Sequence, residues 1–162
     1  MGLSIYQRHL NEKVSALVNT WVSNIVDKGW SVDEFESNAS PKLLQQHQKC
    51  VELFALYRTL GNVKVVNPST GQTYNLLRSL MGGELQGEYY TNVTFDSGEA
   101  TIRTVLLMTD GTWKFGGFWV SSPQLVHRAL SQLPTNSNSG RTLTPLALNA
   151  QYVNPLDRPA YH

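Results

Sequence analysis

At Gly61 the spacing of apolar side chains changes from three-and-four to two, and this switch divides the chain into a helix-forming part and a sheet-forming part. Before it, Leu10, Val14, Leu17, Val18, Trp21, Val22 and Ile25 fall on one face of a helix running from Leu3 to Val26, which Gly29 is placed to end. Ser31-Val-Asp-Glu34 has the form of a capping box and predicts a short second helix. Ser40-Pro41 then opens a third, with serine as cap and proline at the first helical position, running through Leu43, Leu44, His47, Val51, Phe54 and Tyr57 to Gly61.

Beyond Gly61 the pattern is that of strands. Val63, Val65 and Val66 form one, and residues 67–71 (Asn-Pro-Ser-Thr-Gly) are a turn cluster. Tyr74 to Leu80 reads either as a second strand or as a loop crossing the sheet. Glu88 to Phe95 alternates, with Tyr89, Thr91, Val93 and Phe95 on one side and Tyr90, Asn92 and Thr94 on the other. Ala100 to Met108 and Thr112 to Val120 are joined by Asp110-Gly111, a dipeptide that tolerates the positive φ of a tight hairpin at both positions. Helices followed by an antiparallel meander define an α+β class, with three amino-terminal helices packed on the sheet.

The organisation expected is one domain over residues 1–121, a short helix over 122–133, and a linker with an extended or disordered tail over 134–162. Residues 134–140 (Pro-Thr-Asn-Ser-Asn-Ser-Gly) have linker composition. In the tail that follows, prolines at 145, 155 and 159 separate Leu146, Leu148, Tyr152 and Leu156, the four residues suited to docking on a partner or a neighbouring subunit.

Charge and cysteine usage exclude several function classes. The formal net charge of +1 offers no field to gather polyanions, so nucleic acid is not an expected partner. Up to Val120 ten Lys and Arg face eleven Asp and Glu, which leaves a mildly basic end carrying Arg128, Arg141 and Arg158 against Asp157. With Cys50 alone, neither an internal disulfide nor a cysteine-rich zinc site can form. No stretch approaches the roughly 20 apolar residues of a membrane span, and Met1 to Leu10 lacks the apolar run of a secretory signal. The chain reads as cytoplasmic, or as periplasmic if a leader or anchor has been removed from it.

The order of several short motifs resembles the nuclear transport factor 2-like superfamily, and within it a bacterial family of unknown function. The motifs are Trp21 with Asp27-Lys28-Gly29, then Arg58-Thr59-Leu60-Gly61, then Gly87-Glu88-Tyr89, and lastly Asp110-Gly111-Thr112-Trp113-Lys114-Phe115-Gly116-Gly117-Phe118. The resemblance covers residues 15–121. It implies a strongly curved antiparallel sheet under the helices, a cone whose open end is a cavity, and in the enzymes of the superfamily an acid or a histidine placed there.

Carried onto this chain, the implied cavity draws on Trp21, Asp27, Tyr89, Arg103 and Trp119, with Asp33 and Tyr90 as further candidates. A carboxylate buried against aromatic rings would act as general base on an acidic C–H, and a tyrosine hydroxyl would stabilise the enolate. Against this, Asp27 lies beside Lys28 at a helix end, where a solvated carboxylate is the plainer account. Asp33, Glu34 and Glu36 are acids of a first helical turn, favoured there by the helix dipole alone. His47 precedes Cys50 by three residues on a helix face that also carries Leu43, Leu44 and Val51, which places the histidine at a core margin and the cysteine in the core. No metal site or cofactor is expected.

Trp113, Phe115, Phe118 and Trp119 crowd one strand around Gly116-Gly117, a pair that leaves room for a bulge able to turn one large ring to the other face. The sequence favours a non-catalytic binding or assembly module, a component of a bacterial cell-envelope or secretion complex, whose partner is a protein or a second copy of the chain. The alternative is a domain that binds an apolar small molecule in the cavity, as a sensor or as an isomerase- or cyclase-type enzyme.

Overall fold

The computed structural model describes residues 2–131, so the tail positions Leu146, Leu148, Tyr152 and Leu156 lie outside the described residues. Helix α1 spans Gly2–Asp27 and is followed by α2 (Val32–Ser37), α3 (Pro41–Leu44), α4 (His47–Tyr57) and a 3-10 turn over Arg58–Leu60. Strands β1 (Val63–Val66) and β2 (Thr70–Tyr74) precede a short helix α5 (Leu76–Leu80), then β3 (Leu85–Phe95), β4 (Gly98–Thr109), β5 (Thr112–Ser121) and α6 (Pro123–Ser131). The five strands form one antiparallel sheet in which β3 pairs with β4 and β4 with β5, while β1 and β2 share the remaining edge of β3. The chain is thus α+β, with its amino-terminal helix packed on the sheet.

The predicted third helix is interrupted. Ser40 accepts a hydrogen bond from Leu43 N (3.4 Å) and Pro41 occupies the first turn, as a serine-proline start requires, but the helix stops at Leu44 and restarts at His47. The Ser31 cap is likewise half a box: its hydroxyl accepts from Glu34 N (3.3 Å), whereas the Glu34 carboxylate pairs with Lys28. The segment 74–80, expected as a strand or a loop, is mostly helix: only Tyr74 belongs to β2, which begins at Thr70 inside the expected turn cluster, and α5 follows Asn75, which is in the left-handed region (φ 65°). The tight hairpin forms at Asp110 (φ 52°) and Gly111 (φ 75°).

The core lies between the helices and one face of the sheet. Val14, Val18, Val22 and Ile25 of α1 are fully or nearly buried, as their spacing demands, against Tyr89, Val93, Ile102, Phe115 and Val120 of the strands. Its aromatic centre is Trp30, stacked on Phe95 (5.6 Å between ring centroids) and in contact with Phe54 and Tyr57. Trp30 follows Gly29 in a left-handed two-residue turn (φ 69° and 59°), and the Arg58 guanidinium donates to both carbonyls, at 2.9 Å to Gly29 O and 3.1 Å to Trp30 O. Two motifs that lie 29 residues apart therefore meet as one structural clamp.

A second stripe of α1, four residues apart, is polar and faces the β1–β2 edge. Gln7 donates to Thr73 O (2.8 Å), Asn11 Oδ1 accepts from Thr73 N (2.9 Å), Ser15 donates to Ser69 O, and Asn19 donates to Asn67 O (2.9 Å). Side chains of the helix thus supply partners that a further strand would otherwise provide to this edge. On the opposite edge, Phe115 N donates to Asn38 O (2.7 Å) and Ser40 N to Phe115 O (2.9 Å).

Because Thr73 is buried and its amide has Asn11 as acceptor, Asn11→Ala is expected to cost roughly 1–3 kcal/mol, the range for a buried donor left without a partner. Urea unfolding checks this: the midpoint should fall with the denaturant slope unchanged.

Candidate functional site

The structure distributes the five implied cavity residues over both sides of the sheet. Tyr89 points inward and is fully buried, and Trp21 of α1 meets Phe115 edge-on at 5.1 Å within the same layer. Arg103 and Trp119 alternate with buried neighbours and face outward. Asp27 is exposed at the end of α1, and Asp33 is exposed on α2. The inner layer therefore gathers Trp21 and Tyr89 without Asp27, Arg103 or Trp119.

Among the residues whose side chains are described, no Asp, Glu, His, Lys or Arg is buried; the buried polar side chains are serines and threonines. The expectation that His47 sits at the core margin does not hold: its side chain is 58% exposed and its Nδ1 lies 2.5 Å from the Glu36 carboxylate, because the break after Leu44 lets the helix restart with its first residue in solvent. Cys50 is buried, as a small apolar residue would be. No group of three His, Cys, Asp or Glu side chains among the described residues is arranged to hold a metal ion.

The ionisable groups of the core are phenols. Burial, reinforced by Cys50, pushes Tyr57 well above the usual tyrosine range against the opposing hydrogen bond from the Val120 backbone. Burial, with Tyr74 nearby, pushes Tyr89 up to about 12. Its ring lies across two glycines, since a Cβ on Gly71 or Gly87 would stand 2.7 and 2.8 Å from ring carbons. Its hydroxyl has no hydrogen-bond partner, and the Trp30 indole N–H is in the same position.

On the outer face the strand register builds a connected polar and aromatic platform. Tyr90 stands opposite Arg103, and Arg103 opposite Trp119. The Arg103 guanidinium lies over the Trp119 ring, 4.5 Å from its centroid, and donates through Nε to Glu88 Oε1 at 3.1 Å. The Tyr90 hydroxyl donates to the same carboxylate oxygen. Partial burial works to raise the Glu88 pKa, but the bonds from Arg103 and Tyr90 and the guanidinium charge outweigh it, so the carboxyl is held below its ordinary value. Conversely, the bond to Glu88 and partial burial raise Tyr90.

The bulge between Val105 and Leu106 sets this arrangement. It allows Phe115 and Phe118, three residues apart, both to enter the core, and Trp119 then emerges on the other face. Gly117 gives the ring its place, since a Cβ there would lie 2.2 Å from a Trp119 carbon. Sequence reasoning named Arg103 and Trp119 but missed Glu88, whose alternation with Tyr90 on the outward side of β3 was the available signal.

Comparison of the chain with known protein-family models, curated proteins and solved structures gives no match. Among the described residues, no helix is long and apolar enough to cross a membrane.

Removing the unpartnered hydroxyl should relieve its desolvation, so Tyr89→Phe is expected to stabilise the fold by about 1 kcal/mol in urea titrations. The raised pKa also carries a pH signature. The neutral phenol is favoured in the folded state, so the contribution of Tyr89 is fully present below the unfolded value of 10.0 and is lost as pH rises toward about 12. Alkaline destabilisation over that window should be shallower in Tyr89→Phe than in the parent chain.

Proposed function

We propose that this protein is a non-catalytic binding or assembly module that engages a protein partner through the outer face of its sheet. The observation that carries the reading is the character of the inner layer. Its ionisable residues among those described are Tyr57, Tyr89 and Cys50, and both phenols are held neutral by burial. General acid–base chemistry in such a layer lacks the carboxylate or imidazole that would abstract a proton. The Tyr90, Glu88, Arg103 and Trp119 platform instead combines the residue types that dominate protein interfaces, Trp, Tyr and Arg, with side chains already held in place before any partner arrives.

The cone geometry implied by the resemblance to the nuclear transport factor 2-like superfamily, and a bacterial envelope or secretion setting, belong to this same proposal. What supports the first is an amino-terminal helix on a five-stranded antiparallel sheet.

A specific observation favours the alternative of small-molecule binding: the buried Tyr89 hydroxyl without a partner would suit a ligand acceptor. Native mass spectrometry of the purified full chain separates the two. The binding-module reading expects masses that are multiples of the bare 18.1 kDa chain, unchanged in Tyr89→Phe apart from the lost oxygen. A retained small molecule that is lost in Tyr89→Phe would overturn it in favour of a ligand-binding interior.

A further inference from the structure

We infer that residues 143–162 dock back onto their own domain, across an apolar surface formed by the first turns of α1 and by α5. This surface is separate from the outer face of the sheet, and the inference does not depend on the reading given to that face.

Among the described residues ten large apolar side chains are exposed, and six of them gather at one end of the sheet: Leu3, Ile5, Tyr6, Tyr74, Leu80 and Met81. The topology puts them there. Gln7 donates to Thr73 O, so α1 begins beside the end of β2, and α5 follows that end and leads into the start of β3. Leu3, Tyr6 and Leu10 continue, at three- and four-residue spacing, the stripe that buries Val14, Val18 and Val22. Val14 is 2% exposed, whereas Leu3 and Tyr6 are 51% and 56% exposed, so the core-facing side of α1 runs on past the sheet with no described residue to cover it. Leu80 and Met81 are more open still, at 75% and 87%. Apolar side chains gathered in this way, unlike single ones, mark a docking surface.

The chain carries an occupant of matching chemistry. Leu146, Leu148, Tyr152 and Leu156 recur among prolines at 145, 155 and 159, and each proline fixes φ, which lowers the entropy lost when the segment is ordered. From Leu146 to Leu156 the segment spans up to about 30 Å when extended, enough to run along both α5 and the start of α1.

The connection is long enough to bring it there. β5 starts at the same end of the sheet as Leu85 and Met108, and α6 leaves from its other end. The return path is therefore the length of β5, about 30 Å, and at most the further ~13 Å of α6. From Ser131 to Leu146 the chain reaches about 50 Å. A connection of this length sets an effective concentration on the order of 1 mM, so a chain's own segment outcompetes that of a neighbour present at micromolar concentration.

Hydrogen exchange of the full chain, followed by mass spectrometry, tests the inference. In the double variant Leu146→Asp with Leu148→Asp, amides of residues 3–10 and 76–83 should exchange at least about tenfold faster than in the parent chain. Leu80→Asp with Met81→Asp, at two exposed positions, should speed exchange over residues 146–156 in the same way. Far-UV circular dichroism establishes that each variant is folded. Because the contact lies within one chain, the protection should be equal at about 1 and 100 μM. Exchange at α1 and α5 that is indifferent to the first variant overturns the inference, as does exchange over residues 146–156 that is indifferent to the second. Protection that fades on dilution also overturns it, since the segment would then belong to a neighbouring molecule.

Discussion

The packing of the helices on the sheet depends on Trp30 and the Arg58 clamp that holds its backbone. A left-handed conformation at a non-glycine residue costs roughly 1–2 kcal/mol, and Trp30 adopts one at φ 59°. Burying a tryptophan removes about 150–250 Å² from water, worth roughly 4–6 kcal/mol at 25 cal/mol per Å², so burial prevails over the backbone cost. The ring is stacked on Phe95 of β3 and touches Phe54 and Tyr57 of α4, so one side chain joins the end of α1, the α4 layer and the sheet. Arg58 makes the turn specific by donating to the two carbonyls that the left-handed bend turns outward.

A second constraint follows from β1 and β2 sharing one edge of β3. Two short strands on a single neighbour leave backbone groups that no sheet partner satisfies, and the polar stripe of α1 provides for them. One helix therefore has two jobs, divided by its periodicity. Valines at 14, 18 and 22 fill the core, and polar residues at 7, 11, 15 and 19 hold the edge. The buried Ser69 and Thr91 hydroxyls, 2.6 Å apart, continue this polar seam into the sheet.

Much of the fold was legible because its signals are local. The apolar stripe of α1, the Ser40-Pro41 start, the alternation of β3 and the Asp110-Gly111 hairpin each depend on a few neighbouring residues, and each formed as its chemistry required. What was not legible depends on distant partners. Residues 70–74 (Thr-Gly-Gln-Thr-Tyr) carry one buried side chain, so they form a strand only because β3 and α1 receive them from opposite sides. His47 has the spacing of a core-facing position, but the helix break at Gln45 and Gln46 rotates it to Glu36. The candidate site divided for the same reason: which face of a strand Arg103 or Trp119 occupies depends on register and on the bulge, and neither is written in a residue's own identity.

The bulge at Gly116 links the two faces energetically. Without the extra residue, Phe115 and Phe118 would fall on opposite sides, and one aromatic ring would leave the core. With it, both are buried at 5.8 Å from each other, and Trp119 is turned outward with no freedom to choose another face. That Trp119 meets Arg103 on the outer face is then a consequence of core packing, and the bond to Glu88 holds the guanidinium over the ring. Such a platform gains its order from the stability of the whole domain, so ordering it on association costs little further entropy. A surface built this way would meet a partner with shape and paired charge held in advance, which is the property the proposed assembly contact requires.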